Sequence, residues 1–235
     1  MPKSKEDLKQ KETAIRKACL ITDRAFLHVL GIVRVGMAEK DLAKEIDKFI
    51  KKNGASLSFP TIVASGGHSF FIHHKPCRRK IKEGEPVLLD FGARFKGYCA
   101  DLSRTIFIGK APSSFKKIYK IVLWSQEKAI RKVKRSSIAG EIDKTARMNI
   151  VKAGFGGKFT HSTGHGLGKL VHEKPSISPG SKDKLEVGDI ITVEPGVYIR
   201  GKGGVRIEDD VLIKGNGMEI LTKSSKKLKD IILPR

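Results

Sequence analysis

Aromatic residues are scarce in this chain, at 6% of its 235 residues, with one tryptophan. Base-stacking platforms for single-stranded nucleic acid need aromatics interleaved with basic side chains, so that class is poorly served. Cysteine is scarcer still: Cys19, Cys77 and Cys99. An odd number without metal-motif spacing argues against a disulfide framework and for free thiols in a reducing compartment. No apolar run approaches the ~20 residues that span a bilayer. The opening Met1-Pro-Lys-Ser-Lys-Glu-Asp7 is polar and does not read as a secretory signal. The expected location is therefore the cytoplasm, with no membrane partner.

Acidic residues are also in short supply. Asp and Glu number 25 against 47 Lys and Arg, a net charge of +22. Such a surface attracts polyanions. The charge is dispersed, however, and clusters such as Lys80-Ile-Lys82, Arg131–Arg135 and Lys223–Lys229 are expected on helix faces or near the chain end. They read as a solvated basic surface, with nucleic acid bound only nonspecifically, if at all.

The rest is a soluble globular composition, 39% hydrophobic and 31% charged. Helical spacing runs through Ile15, Cys19, Ala25, Phe26, Val29, Leu30 and Val33 after a Ser4-x-x-Asp7 capping box. A second helix carries Leu42, Ile46, Phe49 and Ile50 and stops at Asn53-Gly54. Phe59–Gly66 reads as a strand, followed by a loop with His68, His73 and His74. After Pro112 a helix carries Phe115, Ile118, Val122, Ala129 and Val133, and the next carries Ile142, Ala146 and Ile150 up to Gly154. Strands then return. The order is helix pair, strands, helix pair, strands: an α+β chain with two pseudo-symmetric halves near 1–110 and 111–222, expected as one domain over 1–235 with a basic tail at 223–235. The repeat is legible in element order and not residue by residue.

The few acids are placed tellingly. Two apolar runs flank Gly97, with Asp90 in one and Asp101 beside the other; a hairpin folded about Phe95-Lys96, or one with a bulged three-residue loop, puts both acids on one side. The runs Ile190–Ile199 and Gly204–Ile213 flank Arg200-Gly-Lys-Gly-Gly204, and folding about Gly201 sets Glu194 opposite Glu208. Unpaired carboxylates in apolar strands are costly to bury, and acids forced together repel. A divalent cation relieves both problems, and His165 offers a nitrogen ligand, sharing one face with His161 if that stretch is extended.

At these residues the chain resembles the pita-bread metallopeptidases, most closely the aminopeptidase P and prolidase branch. The matching pieces are Asp90-Phe-Gly, Tyr98-Cys-Ala-Asp101-Leu-Ser-Arg-Thr, His161-Ser-Thr-Gly-His165-Gly-Leu-Gly with His172-Glu-Lys-Pro, Glu194-Pro-Gly-Val-Tyr and Arg206-Ile-Glu208-Asp. The likeness runs from about Lys17 to Lys214. It implies the pita-bread fold and a pair of divalent ions, manganese first, with cobalt, iron or zinc as alternatives. Asp90 would hold one ion, His165 and Glu194 the other, and Asp101 and Glu208 would bridge. It also implies Glu194 as proton carrier, His172 as donor to the oxyanion and His73 near the leaving nitrogen or the residue after the scissile bond. His161 and Arg206 match the proline-selective branch. A flat imidazole can pack on a pyrrolidine ring, and Arg206 can orient a bridging acid or a substrate carboxylate, or else neutralise Asp209 or Asp210.

The expected activity is hydrolysis of Xaa-Pro bonds at the amino end of small peptides by a monomer or homodimer. The alternatives are a methionine aminopeptidase on the same fold and a catalytically silent binding module for nucleic acid or protein. Long members of the branch carry a separate amino-terminal domain, and this chain starts near where their catalytic domain would.

Overall fold

The structure, a computed structural model, is described for residues 5–235, so Ser4 of the expected capping box lies outside the described residues. The first apolar stripe forms α1 (Lys5–Ile32), burying Ile15, Cys19, Ala25, Phe26 and Val29. Val33 falls just past its end. The second forms α2 (Glu39–Lys52). Leu42, Ile46 and Ile50 line its buried face, acids stand in its first turn and Lys51-Lys52 in its last, as the helix dipole favours. Asn53 closes it through N–H bonds to the last carbonyls, and Gly54 follows at φ 76°.

Six strands come next: β1 (Ser56–Leu57), β2 (Ile62–Ser65), β3 (Val87–Phe91), β4 (Ala93–Phe95), β5 (Tyr98–Cys99) and β6 (Leu102–Ile108). The strand expected from Phe59 thus begins only at Ile62. Then α3 (Ser113–Ile130) and α4 (Ala139–Lys152) pair, with Val133 beyond the first of them. The remaining strands are β7 (Gly164–Gly166), β8 (Glu173–Ile177), β9 (Ile190–Val193), β10 (Gly196–Ile199), β11 (Gly203–Arg206), β12 (Asp209–Lys214) and β13 (Gly217–Ile220), before a short α5 (Leu228–Ile231) and β14 (Ile232–Leu233).

Two larger sheets hold the site, ordered β14-β6-β3-β2 and β13-β12-β9-β7-β8. Helices cover their outer faces. Phe26, Leu42 and Ile46 share a core with Leu89, Phe91 and Ile106, and Ala129, Ile142 and Ala146 share one with Ile177, Ile191 and Val211. Each leucine, isoleucine, valine or phenylalanine among them contributes roughly 1.5–3 kcal/mol on leaving water. The halves correspond more closely than sequence inspection suggests. α2 and α4 are each 14 residues long and offset by 100 positions, and the residue before each makes an isolated bridge, Ala38 to Lys80 and Ile138 to Lys184.

Three expectations need correcting. The first hairpin turns at Lys96-Gly97, with φ 48° and 80°, so both central residues are left-handed and the loop has two residues, not three. Asp90 consequently faces Ser103, and Asp101 lies two residues away. A shift of two keeps strand parity, so the acids still share a side. The runs expected as continuous strands at 190–199 and 204–213 are broken at Glu194-Pro195 and Ile207-Glu208, because Pro195 lacks the N–H a ladder needs. The register nevertheless carries through the break: Gly196 faces Arg206 and Val193 faces Asp209, which leaves Glu194 opposite Glu208. Finally, Lys80–Lys82 and Arg131–Arg135 lie off the helices, while the cluster near the chain end reaches into α5 at Lys229; the basic tail 223–235 is docked on the fold, for Ser224 bonds to Asp23 and Arg104, Ile231 is buried, and β14 pairs with β6.

Candidate metal centre

The five candidate ligands come from five places in the chain and meet between the two sheets. Asp90 is in β3, Asp101 precedes β6, His165 is the middle of β7, and Glu194 and Glu208 occupy the breaks beside β9 and β12. All five line one cavity of about 440 Å3. Its mouth carries His73 and His172, and its wall is apolar, with Phe59, Pro60, Ile62, Ile72 and Val171. His165 Nε2 lies 3.3 Å from Glu194 Oε1 and 3.8 Å from Asp101 Oδ2. Ligand atoms of Asp101, His165 and Glu208 all fall within 4.8 Å of one another.

Glycine makes the placement of His165 feasible. β7 is sandwiched between β8 and β9, and a Cβ on Gly164 would stand 2.0 Å from the Thr192 carbonyl, one on Gly166 2.1 Å from that of Lys174. Only glycine tolerates backbone that close. Thr192 Oγ1 accepts the His165 N–H and donates to Glu194, tying two ligands together.

The donor set fits divalent metal. Asp90 Oδ1, Asp101 Oδ1 and Glu208 Oε1 are buried with no hydrogen-bond partner among the described residues. Burial, and then the neighbouring carboxylates, push Asp101 and Glu208 well above the ordinary carboxylate range. Burial also raises Asp90, with Arg206 opposing it. Glu194 goes the other way: burial would lift it, but His165 and His161 outweigh that and hold it low. Oxygen atoms left unpaired on mutually repelling acids, beside an imidazole, are what hard or borderline cations coordinate.

Behind the acids lies a buried relay. Arg206 spends Nε on Ser103 Oγ (2.7 Å), Nη1 on Tyr198 Oη (2.9 Å) and Nη2 on Asp90. Ser103 Oγ donates to Glu208 Oε2 at 2.7 Å. Tyr198 Oη meets His161 Nε2 at 2.8 Å, and His161 Nδ1 meets the Ser162 carbonyl. A carbonyl only accepts, so Nδ1 bears the proton and Nε2 accepts from the tyrosine. Arg206 therefore orients Asp90, and Glu208 through Ser103. The alternative of neutralising Asp209 or Asp210 does not hold: Asp209 takes Arg104 and Lys226, and Asp210 takes the Asp101 N–H and Cys19. His161 lies in the irregular stretch before β7. Both its nitrogens are engaged inside the protein, and it is not among the residues that line the cavity.

Burial drives the His161 pKa down to about 4. The unfolded chain protonates it near 6.5, so its contribution to stability is intact above that pH and erodes as pH falls toward 4, by about 3 kcal/mol. His161→Phe should flatten that acid-side loss. Urea midpoints of both proteins between pH 7 and 4 would check it, and parallel curves would refute it.

Sequence reasoning missed Ser103, Thr192, Tyr198 and Asp210. A signal existed for three of them: each lies two residues from a ligand acid, as Arg206 does, and strand parity puts i and i±2 on one face.

A helix–strand frame whose two halves bring four acids and a histidine to a shared cavity is the pita-bread fold of the metallopeptidases. The chain belongs to metallopeptidase family M24, which matches residues 13–215. It is 40% identical to the Xaa-Pro dipeptidase of Pyrococcus horikoshii over 227 residues, 96% of this chain and 64% of that protein. Among solved structures it is similar to the Xaa-Pro dipeptidase from Bacillus anthracis, with TM-score 0.92 and 41% identity over 96% of this chain and 63% of that one. The X-Pro aminopeptidase from Thermotoga maritima gives TM-score 0.92 at 38% identity, covering 97% and 64%. The chain thus spans about 64% of the length of these relatives.

Proposed function

We propose that this protein is a two-metal Xaa-Pro peptidase acting at the amino end of small peptides. The observation that carries the reading is the set of unpartnered carboxylate oxygens on Asp90, Asp101 and Glu208, facing one cavity with His165 and Glu194. Asp90 would hold one ion, His165 and Glu194 the other, with Asp101 and Glu208 between them. Manganese is the first choice, and cobalt, iron and zinc suit the same donors. Bound ions supply Lewis acidity and lower the pKa of a water nucleophile.

The chain's own residues do the rest. Glu194 is ionised and steadied by Thr192, so it can take a proton at its carboxylate and pass it on. His172 stands edge-on to His165, with ring centroids 4.3 Å apart, and burial and that neighbour lower its pKa. A neutral ring can donate N–H to a developing oxyanion. His73, at the mouth, would meet the leaving nitrogen or the residue after the scissile bond. The wall of Phe59, Ile62, Ile72 and Val171 offers a pyrrolidine ring an apolar seat. We assign the protein to the cytoplasm on its free thiols; no described helix is long and apolar enough to cross a membrane.

Two relatives named for Xaa-Pro cleavage favour this reading over methionine aminopeptidase, and the intact ligand set favours it over a silent module. Protein loaded with Mn or Co should cleave Gly-Pro and Arg-Pro-Pro peptides in preference to Met-Ala. Chelation should abolish turnover, and re-addition of metal should restore it. Cleavage of Met-Ala alone would overturn the proline assignment, and turnover undiminished after exhaustive chelation would overturn the metal centre.

A further inference from the structure

A second group of metal-type donors lies under the loop that carries His73. Glu39, first residue of α2, has a fully buried side chain. Its Oε1 meets Ser65 N (2.8 Å), Ser65 Oγ (2.7 Å) and His68 Nδ1 (3.0 Å). Its Oε2 meets His74 Nε2 (2.8 Å), Cys77 N (3.3 Å) and Cys77 Sγ (3.4 Å). Six donors crowd a carboxylate that has about four lone-pair sites. The two imidazoles lie side by side, centroids 4.4 Å apart, and turn their nitrogens to the same acid. Ligand atoms of all four residues fall within 4.8 Å of one another.

We propose that Glu39, His68, His74 and Cys77 form a separate structural site for a zinc-class divalent ion. Two imidazole nitrogens, a thiolate and a carboxylate oxygen are a complete tetrahedral set. With metal–ligand bonds of about 2.0–2.3 Å, the edges of that tetrahedron are roughly 3.3–3.7 Å. The observed separations from the one oxygen Glu39 Oε2, 2.8 Å to His74, 3.2 Å to His68 and 3.4 Å to Cys77, need to open by only a few tenths of an ångström. Glutamate and thiolate together balance the ion's charge. Cys77 is exposed, which gives an entry path. Ion uptake expels the thiol proton and any imidazolium proton to solvent, so affinity rises with pH.

The site differs in kind from the acidic centre, which has no sulfur ligand, and it does not depend on the peptidase assignment. His74 and His73 are adjacent, so an ion here would fix the segment from the 3-10 turn at Gly66–Phe70 to Cys77, and with it one wall of the cavity.

Sulfur supplies the test. The full chain titrated with Co2+ should develop a thiolate-to-cobalt charge-transfer absorption in the near ultraviolet. Cys77→Ser should lose that band and His68→Ala should weaken Co2+ binding there at least tenfold, while Glu208→Ala should keep the band. Elemental analysis after zinc loading should find about one equivalent less in Cys77→Ser than in the parent. Cobalt uptake without the band, or a band that survives Cys77→Ser and so belongs to Cys19 or Cys99, would overturn the proposal.

Discussion

Replacing Glu208 should abolish peptide hydrolysis while making the metal-free protein more stable. The first effect follows from its place between the two proposed ions. Its Oε1 is a buried, unpartnered oxygen, and its Oε2 is held by Ser103. Glu208→Ala removes both and should lower kcat/KM on the order of 10^3-fold or more, about 4 kcal/mol of transition-state stabilisation. The second effect follows from burial and the charges of Glu194 and Asp90, which lift the Glu208 carboxyl well above its ordinary range. An acid whose folded pKa is raised favours the folded state at low pH, and that advantage is lost as pH climbs from the unfolded carboxylate value, near 4.3, through the folded one. At neutral pH the metal-free protein therefore carries a penalty.

Glu208→Gln keeps the volume, keeps an acceptor for Ser103 and removes the charge. It should raise the melting temperature of chelated protein by about 2–4 °C for each kcal/mol recovered. It should also lose most of the further rise that metal gives the parent. Thermal melts with and without metal, beside peptide assays, read both halves. Parental activity in Glu208→Ala would end the bridging assignment, and a lowered metal-free melting point in Glu208→Gln would end the account of repulsion.

The second large effect is expected at Arg206. Its guanidinium is buried and satisfies Ser103, Tyr198 and Asp90 with three different nitrogens. Arg206→Ala strands Asp90 as a buried charge beside Asp101, Glu194 and Glu208, and should cost about 3–5 kcal/mol of stability. Arg206→Lys should not rescue it, since one ammonium cannot reproduce a planar fork aimed at three partners. In metal-loaded protein the lysine variant should bind metal more weakly by roughly 10–100-fold, the usual penalty for losing a group that orients a ligand. Denaturant midpoints and metal titrations would show it. A lysine variant with parental metal affinity and stability would mean that Arg206 only balances charge.

Much of this was legible before any coordinates. The helix pairs were visible because 3.6-residue periodicity survives in Leu42, Ile46 and Ile50 and in Ile142, Ala146 and Ile150. Glu194 facing Glu208 was legible because glycines mark the turn between them and register propagates through the Pro195 break. The first hairpin was placed two residues out because Lys96, an ordinary side chain, occupies a left-handed position usually given to Gly, Asn or Asp. That error spared the site only because strand faces repeat every two residues. The role of Arg206 was half visible: the sequence marked the residue, but its partner Asp90 is 116 positions away.

By itself the sequence determined what kinds of atoms this protein could bring together: four acids and an imidazole set in apolar strands, where an uncompensated carboxylate is too costly to leave. It also determined the order of elements that carries them. Which acid each cation of the chain answers was decided only by the tertiary structure. Arg206 turns to Asp90, and Arg104 and Lys226 turn to Asp209, because the two sheets meet at that seam and bury the acids, so each needs a partner from the protein. The gathering of Glu39, His68, His74 and Cys77 was likewise invisible in one dimension, since a helix start and a loop about 30 residues later become neighbours only when the first half closes over its own helix pair.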